Sequence, residues 1–160
     1  MEFLDSSHAQ EISDLARSIW MEYFPTIISH KATELIFDSW QSADAIKKQI
    51  DDEGFLYSFV VHDGEKIGYF SVRPEGGSLF ISKIYVDKEH RGKGFGKRTL
   101  QEMIEYGRSL GSRNAYLHVN KNNKLAIGAY EANGFKVTGE RYEPMGNGIF
   151  LDDYTMEYSY

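Results

Sequence analysis

Cysteine is absent from this chain of 160 residues. That excludes disulfides, cysteine metal sites and an acyl intermediate on a protein thiol. Long apolar runs are missing too, and none approaches the ~20 residues of a membrane span. The N-terminus, Met1-Glu2-Phe3-Leu4-Asp5, is acidic and lacks the apolar stretch of a secretory signal. These absences predict a cytoplasmic protein with no membrane partner. Basic residues are outnumbered 18 to 24, for a formal net charge of −6. General nucleic-acid binding normally needs a basic face, so no nucleic-acid partner is expected. Prolines number only three, and no linker, repeat or low-complexity segment interrupts the chain. The expectation is a single domain over residues 1–160, large enough to bury a core.

What is present is an α/β pattern, rich in Tyr and Phe. Glu2–Leu4 reads as a short first strand. Ile12, Leu15, Ala16, Ile19 and Tyr23 recur at helical spacing over His8–Phe24, with Ser6 or Ser7 as N-cap and Pro25 as the stop. Further helices are expected over Lys31–Trp40 and over Ala43–Ile50, the second capped by Ser42. The period then changes. Phe55–Val61 and Lys66–Val72 read as strands joined through Asp63-Gly64, a hairpin signal. Pro74 and Gly76-Gly77 mark a turn before the strand Ser78–Val86. An amphipathic helix from Gly96 to Leu110 ends at Gly111. A strand, Asn114–Asn120, a short helix, Asn123–Asn133, and two last strands follow. Phe135–Thr138 and Ile149–Tyr158 are those strands, joined by a mobile loop at 143–148. This order predicts a mixed sheet with helices on both faces. The exposed strands near the C-terminus fit a homodimer.

The stretch Ile84-Tyr85-Val86-Asp87-Lys88-Glu89-His90-Arg91-Gly92-Lys93-Gly94-Phe95-Gly96-Lys97 carries the chemistry. A strand runs through a glycine-rich turn into a helix N-terminus, where free N–H groups and the helix dipole favour an anion. Glycines let a phosphate approach those N–H groups without a Cβ in the way. Arg91, Lys93, Lys97 and Arg98 add charge against an acidic background, which suits one small polyanion. Neither common nucleotide loop fits. A dinucleotide fingerprint counted from Gly92 needs glycine where Lys97 stands, and one counted from Gly94 needs it at Thr99. A P-loop needs one more residue between Gly92 and Gly96, and Ser or Thr where Arg98 stands.

R-x-x-G-x-G does fit, as Arg91, Gly94 and Gly96. After a strand ending Ile-Tyr-Val it resembles the pyrophosphate loop of the GNAT superfamily of N-acetyltransferases, which bind acetyl-CoA. A second signature of that family, an Asn followed by A-I-x-x-Y-x-x-x-G-F, stands here as Asn123-Lys124-Leu125-Ala126-Ile127-Gly128-Ala129-Tyr130-Glu131-Ala132-Asn133-Gly134-Phe135. The element order is also that of the family. Gly134-Phe135 with Asp153-Tyr154-Thr155-Met156 is similar to small polyamine-type acetyltransferases.

The resemblance implies a GNAT fold: a mostly antiparallel twisted sheet splayed between its fourth and fifth strands, Ser78–Val86 and Asn114–Asn120. It implies that the backbone of Ile84, Tyr85 and Val86 holds the pantetheine arm, and that the loop from Arg91 through Gly92, Lys93, Gly94, Phe95, Gly96 and Lys97 holds the pyrophosphate. By the same carry-over, Asn123 contacts CoA as well as capping its helix, and Tyr130 protonates the departing thiolate. A thiol near pKa 8.5 and a phenol near 10 make that transfer nearly balanced. The base is open. An alkylamine near pKa 10.4 must lose a proton at about 4 kcal/mol at pH 7. The strand Leu79-Phe80-Ile81-Ser82-Lys83-Ile84 carries no carboxylate, where many of the family's members have one. Ser82, holding a water, and His118 are the candidates. Glu22, Glu34 and Asp38 are candidates for binding a cationic acceptor, and no metal is expected. The implied function is acetyl transfer from acetyl-CoA to a small amine such as a polyamine, by direct attack in a ternary complex. The alternatives are a non-catalytic acyl-CoA sensor of the same fold and a protein or peptide amine acetyltransferase.

Overall fold

The structure, a computed structural model, describes residues 1–160. Three helices come first: α1 (Ala9–Tyr23), α2 (His30–Trp40) and α3 (Ala43–Asp52). A meander follows: β1 (Leu56–His62), β2 (Glu65–Glu75) and β3 (Ser78–Val86). Then come α4 (Phe95–Ser109), β4 (Asn114–Asn120), α5 (Lys124–Ala132), β5 (Lys136–Gly146) and β6 (Ile149–Ser159). The six strands lie in the order β1-β2-β3-β4-β6-β5. All neighbours are antiparallel except β3 and β4. No helix is long and apolar enough to cross a membrane.

Local chemistry sets the ends of these elements. Ser29 and Ser42 cap α2 and α3, each accepting from the backbone N–H three residues on, a contact of about 1 kcal/mol. The start of α1 differs from the expected serine cap. Asp5 accepts from the Ser7 N–H and opens a 3-10 turn over Ser6–His8, from which α1 continues. The expected first strand shrinks to one bridge, Leu4 to Tyr57, so the sheet has six strands and the splay falls between its third and fourth. Pro74 lies inside β2, not in a turn. β1 begins opposite Val72 and does not reach Pro74, so the missing N–H of Pro74 deprives no partner. The expected mobile loop at 143–148 is mostly strand. Gly146 pairs with Ile149, leaving Asn147-Gly148 as a two-residue turn with both φ positive, the same signal as Asp63-Gly64.

The sheet separates two cores. On one face Val72, Leu79, Ile81, Met103, Leu117 and Phe135 pack beneath α4 and α5. On the other, Ile12, Ile19, Trp20, Phe37, Tyr57 and Tyr69 pack beneath α1 to α3. This second core contains a hydrogen-bonded network. Trp20 Nε1 donates to Tyr69 Oη at 2.9 Å, and Tyr69 donates to Gln41 Oε1 at 2.5 Å. Gln41 Nε2 donates to Tyr57 Oη at 3.1 Å, and Tyr57 donates to Gln49 Oε1 at 2.5 Å. Buried polar groups left unpaired are expensive, so the network fixes how the helices seat on β1 and β2.

One extra residue re-phases β3. Ser71 pairs with Lys83, but the next residue, Val72, pairs with Ile81. Ser82 is therefore a β-bulge, and bulges re-aim the side chains that follow. Leu79 and Ile81 join the α4 core before it, while Lys83 and Tyr85 share the opposite face with Phe80. Beside this stretch, Gly68 approaches β3 so closely that a Cβ would fall on the Tyr85 carbonyl oxygen. Gly68→Ala should therefore displace β3 or cost about 1–3 kcal/mol of stability, read as a lower midpoint in urea unfolding.

Candidate functional site

β3 and β4 pair over three residues only, Ser78–Phe80 against Asn114–Tyr116. Beyond Phe80 they diverge. β2 still holds β3 as far as Val86, and β6 holds β4 along its length. The edge of β3 from Ile81 to Val86 that faces β4 is thus without a strand partner. Two clefts open on either side of this gap.

The first cleft, about 380 Å³, runs from the gap to the start of α4 and is lined by Ile84, Tyr85, Val86, Arg91, Gly92, Gly94, Gly96, Lys97, Asn123 and Tyr130, among others. Gly92 and Gly94 sit at φ 73° and 90°, where an L-side chain is strained. A Cβ on Gly92, Gly94 or Gly96 would meet no protein atom within 4 Å, so the glycines leave open space. Gly94 caps α4 with no side-chain bond to its first N–H groups. Those donors are free for an anion, and Lys97 stands beside them, exposed and in no ion pair. The residues fit the diphosphate and pantetheine of coenzyme A. Arg91 is already engaged. Its Nε donates to the Val86 carbonyl at 2.9 Å, Nη1 lies 2.7 Å from Glu22, and its guanidinium covers the Tyr23 ring. Phe95 and Lys93 do not line the cleft. Phe95 packs on the His62 ring with centroids 4.6 Å apart, and Lys93 is exposed.

Asn123 does more than cap α5. Its Oδ1 accepts from the Ala126 N–H at 3.3 Å and from Tyr23 Oη at 2.6 Å. Tyr23, at the end of α1, is a residue that sequence reasoning missed. Nothing short of the folded contact marks it. Tyr130 is half-buried, its hydroxyl makes no hydrogen bond within the protein, and desolvation pushes its pKa well above that of a free phenol, with Tyr23 adding to the rise. The phenol is thus held protonated.

The second cleft, about 370 Å³, lies between the sheet and α1 to α3, walled by Trp20, Phe24, Trp40, Phe55 and Phe80. Ser82 and His118 line it, and Ile84, Tyr85, Asn123 and Tyr130 line both clefts. His118 shares a 3.0 Å hydrogen bond with Thr155 Oγ1, and burial, then Arg141, draws its pKa down to about 4. That makes it a feeble base. Neither Glu22 nor Glu34 is in this cleft. Glu22 is held by Arg91, and Glu34 by Arg17 at 3.5 Å and His30 at 3.6 Å. Asp38 is solvent-exposed. The charges that do line it are Arg73, Lys83, Arg141, Glu53 and Asp153. Arg73 is paired with Glu75 and Arg141 with Asp153, each at 2.6 Å. Glu53 is exposed at the rim.

Lys83 was also missed, although it is the one charge in the apolar run Leu79–Val86. It is 9% exposed and has no carboxylate partner. Its Nζ donates to Ser82 Oγ at 2.6 Å, near the Trp40 ring. Burial, then Arg141, lowers its pKa to about 7. The unfolded chain, with an ordinary lysine pKa near 10.4, therefore binds more protons than the folded one between pH 7 and pH 10. Stability from this residue is complete above pH 10 and is lost as the pH falls to about 7. The unfolding free energy of the wild type, minus that of Lys83→Met, should climb from pH 7 to pH 10 and stay flat from pH 5 to pH 6.5. Urea unfolding across that range measures it.

Comparisons with known proteins agree with this geometry. The sequence model of the acetyltransferase (GNAT) family matches residues 13–135. A probable spermine N(1)-acetyltransferase of Bacillus subtilis subsp. natto is 30% identical over 88 residues, 49% of this chain and 58% of that protein. The uncharacterized N-acetyltransferase YobR of Bacillus subtilis is 28% identical over 78% of this chain and 48% of its own length. The chain thus spans about half the length of these relatives. Among solved structures, the PaiA N-acetyltransferase of Thermoplasma acidophilum, in complex with coenzyme A, superposes over the full length of both chains at TM-score 0.80 and 22% identity. A chimera of the Vibrio cholerae spermidine N-acetyltransferase SpeG and hSSAT superposes over 99% of this chain and 94% of that chain, at TM-score 0.69 and 23% identity. With the splayed strands, the glycine loop and the match over residues 13–135 together, this chain belongs to the GNAT acetyltransferase family.

Proposed function

We propose that the protein is an acetyl-CoA-dependent N-acetyltransferase acting on the primary amine of a small molecule, by direct attack in a ternary complex. The observation that carries this is the meeting of the two clefts at the gap between β3 and β4, where Ile84, Tyr85, Asn123 and Tyr130 line both. Co-substrate and acceptor can then react where they touch, with no covalent relay.

The chain's own groups supply what the reaction needs. Free N–H groups at the start of α4, with Lys97, receive the diphosphate. The open edge of β3 takes the pantetheine as an added strand would be taken. Acetyl-CoA, when bound, would supply an acetyl group activated as a thioester. A backbone N–H of that edge donates to the oxyanion that develops on the carbonyl. A bond forms from the amine nitrogen to the carbonyl carbon, and the C–S bond breaks. The amine proton passes to water, which Ser82 Oγ can hold because its own proton stays available while it accepts from Lys83. Tyr130 donates to the departing sulfur. With the phenol raised by burial, this is stronger as hydrogen-bond stabilisation than as full proton transfer.

Relatives named for spermine or spermidine acetylation support a small-amine acceptor, and make polyamines the first acceptors to try. For a polycation the cleft offers one unpaired carboxylate, Glu53.

The test is release of CoA thiol from acetyl-CoA across a panel of amines. Tyr130→Phe should lower kcat about 100-fold or more, with the KM for acetyl-CoA within about twofold of wild type. An unchanged kcat would make Tyr130 a packing residue. Tight CoA binding with no amine acetylated would put the acyl-CoA sensor in place of the enzyme.

A further inference from the structure

The acceptor cleft holds a buried lysine with no carboxylate to pair it. Lys83 is 9% exposed, and its only polar contact is the hydroxyl of Ser82. Arg141 stands near the same indole. Lys83 Nζ lies 5.5 Å and the Arg141 guanidinium 5.8 Å from the Trp40 ring centroid. One carboxylate serves this pair, and it is spent on Arg141. Asp153 Oδ2 accepts from both Nε at 3.2 Å and Nη2 at 2.6 Å. Arg141 Nη1 and the remaining Lys83 protons have no protein acceptor. Two cations facing one cavity beside a single carboxylate repel each other unless a ligand brings the missing negative charge.

We propose that Lys83 and Arg141 form an anion subsite in the acceptor cleft, and that the acceptor is a small amine carrying a carboxylate on an apolar body. This rests on the acetyltransferase reading and narrows its substrate class. The aromatic walls Trp20, Phe24, Trp40, Phe55 and Phe80 accept the apolar body. Lys83 stands two residues before Tyr85, about 7 Å along the strand, so one molecule of amino-acid size can place its carboxylate on Lys83 and its amine at the gap. A polyamine fits this pair badly, because its added positive charges would face Lys83 and Arg141 with only Glu53, at the rim, to offset them. The bulge at Ser82 is what turns Lys83 into the cleft.

The experiment compares matched amines that differ by one carboxylate, phenylalanine with phenethylamine and leucine with isoamylamine, alongside spermidine. Thiol release gives kcat and KM, and calorimetry in the presence of CoA gives binding without turnover. The expected result is at least a tenfold higher kcat/KM for the carboxylated member of each pair. Lys83→Met should abolish that preference by raising KM for the carboxylated member of each pair tenfold or more, with the KM for phenethylamine and for acetyl-CoA within about twofold of wild type. Lys83→Arg should restore part of the preference, which a merely structural lysine would not require. Met replaces the stem of Lys83 in an aromatic surround, so the variant should fold, and its unfolding curve verifies this. Spermidine or the decarboxylated amines turned over as well as the carboxylated ones would overturn the subsite and leave the acetyltransferase reading intact. Carboxylated amines that bind through Lys83 yet release no thiol would uphold the subsite and overturn the acetyltransferase reading. A carboxylate preference that survives Lys83→Met, or no carboxylate-dependent binding in calorimetry, would also overturn the subsite.

Discussion

Parallel pairing between β3 and β4 stops after Phe80 and Tyr116, and the rest of the site depends on that stop. Backbone N–H and C=O groups in a folded protein must find partners. Here β3 keeps its partner on one side, β2, and presents the other side to a cleft. The strands do not become loose where they part, because β2 secures β3 to Val86 and β6 secures β4 to Asn120. The gap is a rigid V. Its open edge is a row of aimed hydrogen-bonding groups, and both clefts begin there.

The helical layer is tied to this V at two levels. Deep in the core, the Trp20 indole, the Tyr57 and Tyr69 hydroxyls and the Gln41 and Gln49 amides are linked by hydrogen bonds, which sets the depth of α1 and the α2–α3 turn over the sheet. At the mouth, Arg91 joins the Val86 carbonyl to Glu22, and Tyr23 joins α1 to the Asn123 cap of α5. The end of α1 therefore touches the glycine-loop cleft, while Trp20, one turn earlier, walls the second cleft. Arg91, which lines the glycine-loop cleft, also acts as a strut between helix and strand.

Much of this was legible in the sequence. The Arg91–Lys97 loop and the Asn123–Phe135 segment showed themselves because their chemistry is local: a glycine at positive φ, a free helix N-terminus and a capping Asn all act within a few residues. The second cleft was not legible, because it is made by register. Lys83 faces the cleft only because Ser82 bulges, and an alternating pattern cannot show which residue of a strand is the extra one. Arg141 meets Asp153 only through the pairing of β5 with β6. The acidic residues chosen on α1 and α2 failed as cleft residues for the converse reason. Glu22 and Glu34 have cationic neighbours that periodicity does not reveal. Pro74 reads as a turn and residues 143–148 as a loop because proline and glycine are turn signals in isolation. The edge of a finished sheet accommodates the first, and the second makes a turn much tighter than the loop it suggested.

The unpartnered edge of β3 has one further consequence. The groups that would grip the co-substrate there belong to the main chain, and substitution cannot remove a peptide N–H except by proline. The groups that would choose the acceptor are side chains on the other cleft: Phe80, Lys83, Arg141 and the tryptophans. A protein built this way can diverge in what it modifies while the handle on its acyl donor stays fixed by the fold itself. Acceptor choice and donor grip are then inherited separately, the first through residue identity and the second through strand geometry.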